Sequence, residues 1–333
     1  MTSPAPPLPR HLQLEVTAAC NLRCTMCLVS YRPPVNKADG AMAYDVFTRL
    51  VDSVPDLERL TLQGLGEPLL SPYLLDMVAY AKQRGIAVGF NSNGMLLTRR
   101  VADRLVGLGL DWLHVSIDGA RAETFAAIRA GAELERVGAN LRGLYDAKRA
   151  AGAELPWTRV VFVAMRRNIA ELPELVRLLA SWGVDELRVQ NLSHSFDDTD
   201  PGGSYAAIRE FAEAEALWSG DRAAVEAAFE ETRRVGTETG VAVRLPTLDA
   251  VARTPDDGPG CSWPWDAAYV TSSGVVQPCC MVMGDDRVAV GDVRDRDFAD
   301  VWHGEEYRRF REGLLGGEPP QVCRGCSMYH GTF

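Results

Sequence analysis

Apolar residues along this chain fall into two alternating arrangements. Short runs rich in leucine and β-branched residues read as buried strands: "LQLEV" (12–16), "LERLTLQ" (57–63), "IAVGF" (86–90), "WLHVSI" (112–117), "RVVFVAM" (159–165) and "ELRVQNL" (186–192). Between them, apolar positions recur at helical spacing over 43–53, 72–84, 97–108, 121–150, 170–182 and 204–236, the last punctuated by Ser219-Gly220. Such alternation predicts right-handed βαβ units around a parallel sheet. Six units fit between residue 11 and about residue 240. A closed eight-fold barrel needs roughly 250 residues for itself. The expected fold is therefore α/β, a partial (β/α)6 TIM-like barrel with a small C-terminal α+β domain.

The pattern changes near residue 241. "VAVRLP" reads as a last strand and "TPDDGPG" as a loop; then come the hairpin-like "DAAYVTSSGVVQPCC" and an exposed helix in "DFADVWHGEEYRRFREGLL". The expected organisation is a leader over 1–10, a barrel over 11–240 and a tail domain over 241–333.

Composition narrows the class. Lys+Arg 35 against Asp+Glu 45 gives a net charge of -10, and no basic run is present, so nucleic acid is not expected as a partner. The longest apolar stretches, such as "VVFVAM", fall far short of the roughly 20 residues that span a bilayer, so no membrane is expected. "MTSPAPPLPR" has no apolar signal core. A cytoplasmic location follows as the expectation, where thiols stay reduced and cysteines serve as metal ligands or reactive groups.

The eight cysteines are not scattered. Cys20, Cys24 and Cys27 crowd one loop after the first strand, and the other five lie at 261 and beyond. Three thiolates can hold three irons of a [4Fe–4S] cluster and leave the fourth iron open to a ligand; a structural four-ligand site would close it. A zinc knuckle with a borrowed ligand is the competing reading.

C-x3-C-x2-C directly after a first strand resembles the motif of radical S-adenosylmethionine (SAM) enzymes, and further marks follow in register. "LQGLGEPLL" carries Gly64, Gly66 and Glu67, like the family's glycine–glutamate motif that receives the methionine amino group. "FNSNG" and "VSIDG" end the third and fourth strands, so the resemblance assigns Ser92, Asn93, Ser116 and Asp118 to the sugar and carboxylate of the cofactor. Gln190 is placed near the adenine or the substrate, and Met26 against the adenine. The family's chemistry would then be reductive cleavage of S-adenosylmethionine to a 5′-deoxyadenosyl radical that abstracts a hydrogen from an unactivated C–H bond, with the protein positioning the reactants and excluding water.

The tail resembles the twitch domain, a shortened SPASM domain. Its Cys261, the G-x4-C of Gly274 to Cys279, and Cys323 and Cys326 of "CRGC" are the implied ligands of a second, auxiliary [4Fe–4S] cluster, with four-cysteine zinc as the rival. Cys280 is left over, as a buried thiol, a substitute ligand or a hydrogen donor to a substrate radical. Arg166 and Arg167 end the fifth strand, where an arginine suits a substrate or cofactor carboxylate. Arg188 needs a partner if it points inward. His114 is expected to face out of its strand, and His194 to lie in a loop near the mouth. Tyr31, Arg32 and Lys37 are candidate substrate contacts.

By this resemblance the chain is expected to be an oxidoreductase of antibiotic or secondary-metabolite biosynthesis. It would oxidise a secondary alcohol of a small sugar- or cyclitol-like substrate, fed by a flavodoxin- or ferredoxin-like electron donor. Redox-neutral decarboxylation of a nucleoside uronic acid and epimerisation of an aminoglycoside are alternatives. A peptide maturase ranks behind them, because such enzymes usually carry a recognition module ahead of the barrel and about ten residues precede the first strand here. A non-catalytic iron–sulfur or zinc protein is the last reading.

Overall fold

A computed structural model describes residues 6–31, 40–251, 260–316 and 318–333; Arg32 and Lys37, and residues 254–259 of the loop read from "TPDDGPG", lie outside them. One ten-stranded sheet organises the protein. Strands β1 (His11–Leu14), β2 (Arg59–Thr61), β3 (Ala87–Ser92), β4 (Trp112–Ser116), β5 (Trp157–Val163), β6 (Glu186–Gln190) and β7 (Ala242–Arg244) run parallel in that order. The barrel stays open, as its length predicts, with β7 adding a seventh parallel strand inside residues assigned to the tail.

The tail does not stand apart. β8 (Ala267–Val270) pairs in parallel with β1, register His11 to Ala267, and continues into an antiparallel hairpin with β9 (Val275–Gln277) and then β10 (Gly291–Asp292). The first strand is thus flanked by β2 on one side and by the tail on the other. Its Leu12 and Leu14 are fully buried.

Two long helical patterns are broken. The stretch 121–150 forms Ala122–Ile128 and Leu134–Ala151, with Arg129–Ala130 pairing antiparallel to Arg23–Cys24 between them. Gly131 at φ 96° makes the turn, a conformation glycine adopts without penalty. The stretch 204–236 splits into Ala206–Glu215 and Arg222–Thr239, the second capped by Asp221, which accepts from the Ala223 and Ala224 amides.

The helix expected to be exposed near the C-terminus is two helices, Phe298–Trp302 and Glu305–Leu315, and its inner face is buried. Trp302 and Tyr307 are inaccessible to solvent, and Arg311 packs against both rings and donates to the carbonyls of Pro264 and Trp302, both at 2.8 Å. Charged residues on the outer face hid this arrangement from a reading of average polarity. Pro6 and Pro7 of the leader are fixed here too, accepting bonds from His303 and Trp302.

The barrel lumen is polar. Trp112, His114 and Ser116 alternate with buried Leu113 and Val115, so His114 faces inward and not outward. Its Nδ1 lies 3.0 Å from Asn91 Oδ1, and its ring meets Trp157 edge-on. Burial lowers its pKa to about 3, and Arg159, Arg59 and Arg188 add to the effect. Arg159 and Arg244 share Glu186, each at 2.7 Å, and Arg188 packs over the Phe333 ring.

Candidate active site and auxiliary thiol cluster

The loop carrying Cys20, Cys24 and Cys27 leaves the C-terminal end of β1, where parallel barrels place their chemistry. Backbone bonds shape it. Cys27 N–H reaches the Cys24 carbonyl at 3.2 Å, Thr25 N–H reaches Ile128 O at 2.9 Å, and Leu22 N–H points at the Cys20 sulfur at 3.5 Å. Burial raises all three thiol pKa values, to about 12 at Cys27; Cys20 adds to the rise at Cys24, Cys24 and Cys20 to that at Cys27, and Glu67 to that at Cys20. Thiolates in such a place require positive charge beside them.

Arg129 supplies it. Its Nη1 is 3.9 Å from the Cys24 sulfur, and its Nε donates to Asp118 Oδ2 at 2.6 Å. Asp118 Oδ1 accepts from the Val163 amide at 2.8 Å, and the pair is buried. Asp118, read from the sequence as a cofactor contact, is thus engaged in holding Arg129. Arg129 was not singled out, because it sat within a predicted continuous helix.

The glycine–glutamate loop packs against the same loop. A Cβ on Gly66 would run into the carbonyl oxygens of Thr17 and Ala19, and one on Gly64 into the Glu15 side chain. Glu67 donates its amide to Ala19 O at 2.8 Å. Its buried carboxylate accepts from the Leu69 amide (3.1 Å), the Ser92 hydroxyl (2.8 Å) and the Asn93 amide (2.8 Å). Desolvation raises the Glu67 pKa while those donors oppose the rise. Asn93 Nδ2 donates to Asn21 Oδ1 at 2.9 Å. The residues carried over at the ends of β2 and β3 therefore form one network with the cysteine loop.

Ser116 and Gln190 stand half-buried at the ends of β4 and β6. Met26 packs between the main core and a small cluster of Ile128, Met165 and Leu192. Arg166 does not join them: it is exposed and its Nη1 donates to Ala214 O at 3.3 Å. Tyr31 donates to Thr25 O at 2.7 Å.

Sequence reasoning also passed over Glu15. Its carboxylate accepts from the Leu65 amide at 2.9 Å, the Tyr269 hydroxyl at 3.0 Å, and the Ser272 hydroxyl and amide at 3.1 and 3.3 Å. One buried acid thereby links the glycine–glutamate loop to the tail hairpin. A charged residue closing an apolar strand was its only signal.

In the tail, burial first and neighbouring thiols second raise the pKa values of Cys279, Cys280, Cys323 and Cys326, and Cys261 is one of those neighbours for the last three. Cys280 rises to about 12 and faces Cys326 and Cys261. The four cysteines named as ligands converge, and Cys280, left over in the sequence, lies among them. Cys326 Sγ is approached by the Tyr329 and Met328 amides, the usual environment of a cluster sulfur. Among the described residues no three His, Cys, Asp or Glu side chains are set to grip one metal ion. Three thiols in the β1 loop and the thiols of the tail are the donor type that iron–sulfur clusters take, one thiolate per iron.

His194 is buried, not a free loop histidine. Its Nε2 lies 2.6 Å from Val322 O, its Nδ1 accepts from the Phe196 amide, and its backbone bridges to Cys326. Ser327 adds a bond to Leu192 O. The loop after β6 is stitched to the "CRGC" segment, which brings the auxiliary thiols to one side of the barrel.

This arrangement has relatives. Residues 14–179 match the radical SAM superfamily and residues 261–327 match SPASM, an iron–sulfur cluster-binding domain. The chain is a radical SAM protein with a SPASM-type tail. The cofactors of such a protein are a [4Fe–4S] cluster that binds S-adenosylmethionine and a further [4Fe–4S] cluster in the tail. It is 28% identical over 342 residues to the tungsten-containing aldehyde ferredoxin oxidoreductase cofactor-modifying protein of Pyrococcus furiosus, covering 96% of this chain and 87% of that one. It is 27% identical over 333 residues to PqqA peptide cyclase of Xanthomonas campestris, covering 96% and 80%. The fold superposes on Streptococcus suis SuiB bound to precursor peptide SuiA with TM-score 0.67 at 16% identity, over 97% of this chain and 70% of that one. Among the described residues no helix is long and apolar enough to cross a membrane.

Proposed function

We propose that this radical SAM enzyme modifies a peptide, taking a hydrogen atom from a C–H bond in one of the peptide's side groups. The observation that carries the reading is the likeness to PqqA peptide cyclase, which runs through barrel and tail alike over 96% of the sequence. This reading displaces oxidation of a small sugar alcohol from first place.

In this reading Cys20, Cys24 and Cys27 hold the open-site cluster, and Cys261, Cys279, Cys323 and Cys326 the auxiliary one. When bound, the first cluster and S-adenosylmethionine supply the carbon-centred radical that abstracts hydrogen. The protein's own part is positional. Glu67 fixes the end of β2 to the end of β3, leaving the loop backbone at 64–67 to receive the cofactor's amino group. Ser116 and Gln190, at strand ends around the open side, are placed to orient cofactor and substrate. Arg129 offsets the negative charge of the thiolates, and the apolar cluster around Met26 keeps water from the cysteine loop.

A second reading is modification of a small organic cofactor or metabolite, favoured by the likeness to the Pyrococcus furiosus cofactor-modifying protein. The test is anaerobic turnover with short peptides encoded beside the gene. A peptide product lighter by two hydrogens, formed with 5′-deoxyadenosine, supports the proposal. Deoxyadenosine release that ignores every peptide and responds to a sugar alcohol would sink it.

A further inference from the structure

Arg188 sits in the middle of β6 with its side chain in the lumen, because Leu187 and Val189 on either side of it are buried in the core. Strand register puts it in one row with Ser116 of β4, Val161 of β5 and Arg244 of β7. Gln190, two residues on, ends the strand. Arg188 therefore lies about 7 Å below the end of the barrel where the chemistry is placed.

Its surroundings leave it unpaired. Among the described residues it makes no hydrogen bond and no ion pair, since its neighbours Arg159 and Arg244 both take Glu186, each at 2.7 Å. Burial and those two guanidiniums lower its pKa, and Glu186 alone opposes them. The exposed arginines Arg84, Arg222 and Arg234, by contrast, each find a carboxylate on the surface. Arg159 Nε and His114 Nε2 are sealed from solvent, whereas none of the nitrogens of Arg188 is. Its guanidinium lies over the Phe333 ring at 5.8 Å. What stands in the lumen is an open fork of N–H donors with like charge behind it. In a chain of net charge -10, such a spot inside a low-dielectric wall draws an anion in.

We propose that Arg188 is a recognition site for a carboxylate of the peptide substrate, either an acidic side chain or the peptide's own C-terminus. It rests on the peptide reading for the class of ligand. One free guanidinium gives two parallel N–H bonds, the match for the two oxygens of a carboxylate. Arg159 and Arg244, held on Glu186, add charge but no second fork, which a phosphate would ask for. The carboxylate is held below the cofactor end, so the group that reacts lies further along the peptide, toward Ser116 and Gln190. Arg188 thus acts as an anchor that sets which peptide enters and in what register.

The test is arginine modification of the reconstituted enzyme with phenylglyoxal, its sites and rates mapped by mass spectrometry, with exposed Arg100 as the internal reference. Arg188 is expected to react, and saturating N-acetylglutamate methylamide, with its one side-chain carboxylate, to slow that reaction at least tenfold. N-acetylglutamine methylamide, the same shape without the charge, is expected to leave the rate unchanged. N-acetylalanine carries a terminal carboxylate instead, and whichever acid protects at the lower concentration names the source. An Arg188 that reacts only after unfolding, or that the glutamate and glutamine compounds protect equally, overturns the site. So does protection by S-adenosylmethionine alone, which would give Arg188 to the cofactor's carboxylate, or by inorganic phosphate at lower concentration than either acid. A peptide that is turned over without slowing modification of Arg188 removes the site and leaves the peptide reading standing. Protection by the acids in an enzyme that turns over only a small metabolite removes the peptide reading and this assignment of ligand together.

Discussion

Arg129 holds a guanidinium nitrogen 3.9 Å from the sulfur of Cys24, and Asp118 keeps it there through a 2.6 Å bond from the other side. A fixed positive charge beside a ligand sulfur favours the reduced, more negative state of the cluster bound to it. Arg129→Met is expected to lower the reduction potential of the cluster whose signal S-adenosylmethionine perturbs, read by electron paramagnetic resonance during redox titration. It also leaves Asp118 buried without its counter-ion, with an expected loss of about 3–5 kcal/mol in apoprotein stability. Arg129→Lys should restore potential more than stability. An unchanged potential in Arg129→Met would show that the charge does not act on the cluster.

Glu15 joins the glycine–glutamate loop to the tail, so damage there should appear at both places. Glu15→Gln turns one of its accepting oxygens into a donor facing other donors, at an expected cost of about 1–3 kcal/mol. Hydrogen exchange should rise at Leu65 and at Ser272 in the same variant. Exchange confined to one of the two segments would contradict the link.

The five tail thiols can be separated by iron content. With Cys279 as ligand and Cys280 as its neighbour, Cys279→Ala should lose one cluster per protein molecule after reconstitution, while Cys280→Ala keeps both. The reverse pattern would make Cys280 the ligand.

Three histidines, His194 buried and His11 and His114 half-buried, give the fold a pH dependence of known sign. Burial lowers His11 and His194 to about 4 and His114 to about 3, from 6.5. The unfolded state binds these protons first, so stability is full above pH 6.5 and is lost as pH falls toward 4, at about 1.4 kcal/mol per unit per histidine. Glu67 and Asp118, whose pKa values burial raises, act in the opposite sense, and comparison with a variant isolates the histidine part. Urea unfolding of apoprotein at about pH 7.5 and about pH 5 should show a smaller drop in His114→Asn than in wild type. Equal drops would mean that His114 titrates in the folded state as it does in the unfolded one.

The strands were legible because each couples a β-branched or leucine run to a buried face, and the cysteine loop because its spacing and its place after β1 coincide. What escaped was tertiary. The inward turn of His114 follows from strict alternation with Leu113 and Val115, a signal present but outweighed by its polarity. The break at Arg129 was marked only by Gly131. Nothing local foretold that Glu15 would find Tyr269 and Ser272, more than 250 residues away, since such bonds depend on β8 pairing with β1.

The peptide reading is tested most directly by the origin of the abstracted hydrogen. The reconstituted enzyme, S-adenosylmethionine and reductant would be incubated with extracts of source cells grown in deuterated medium, and the 5′-deoxyadenosine weighed. Deuterium should enter it with the peptide fraction and should vanish when that fraction is first digested with protease. Deuterium transfer from the small-metabolite fraction, untouched by protease, would contradict the peptide reading.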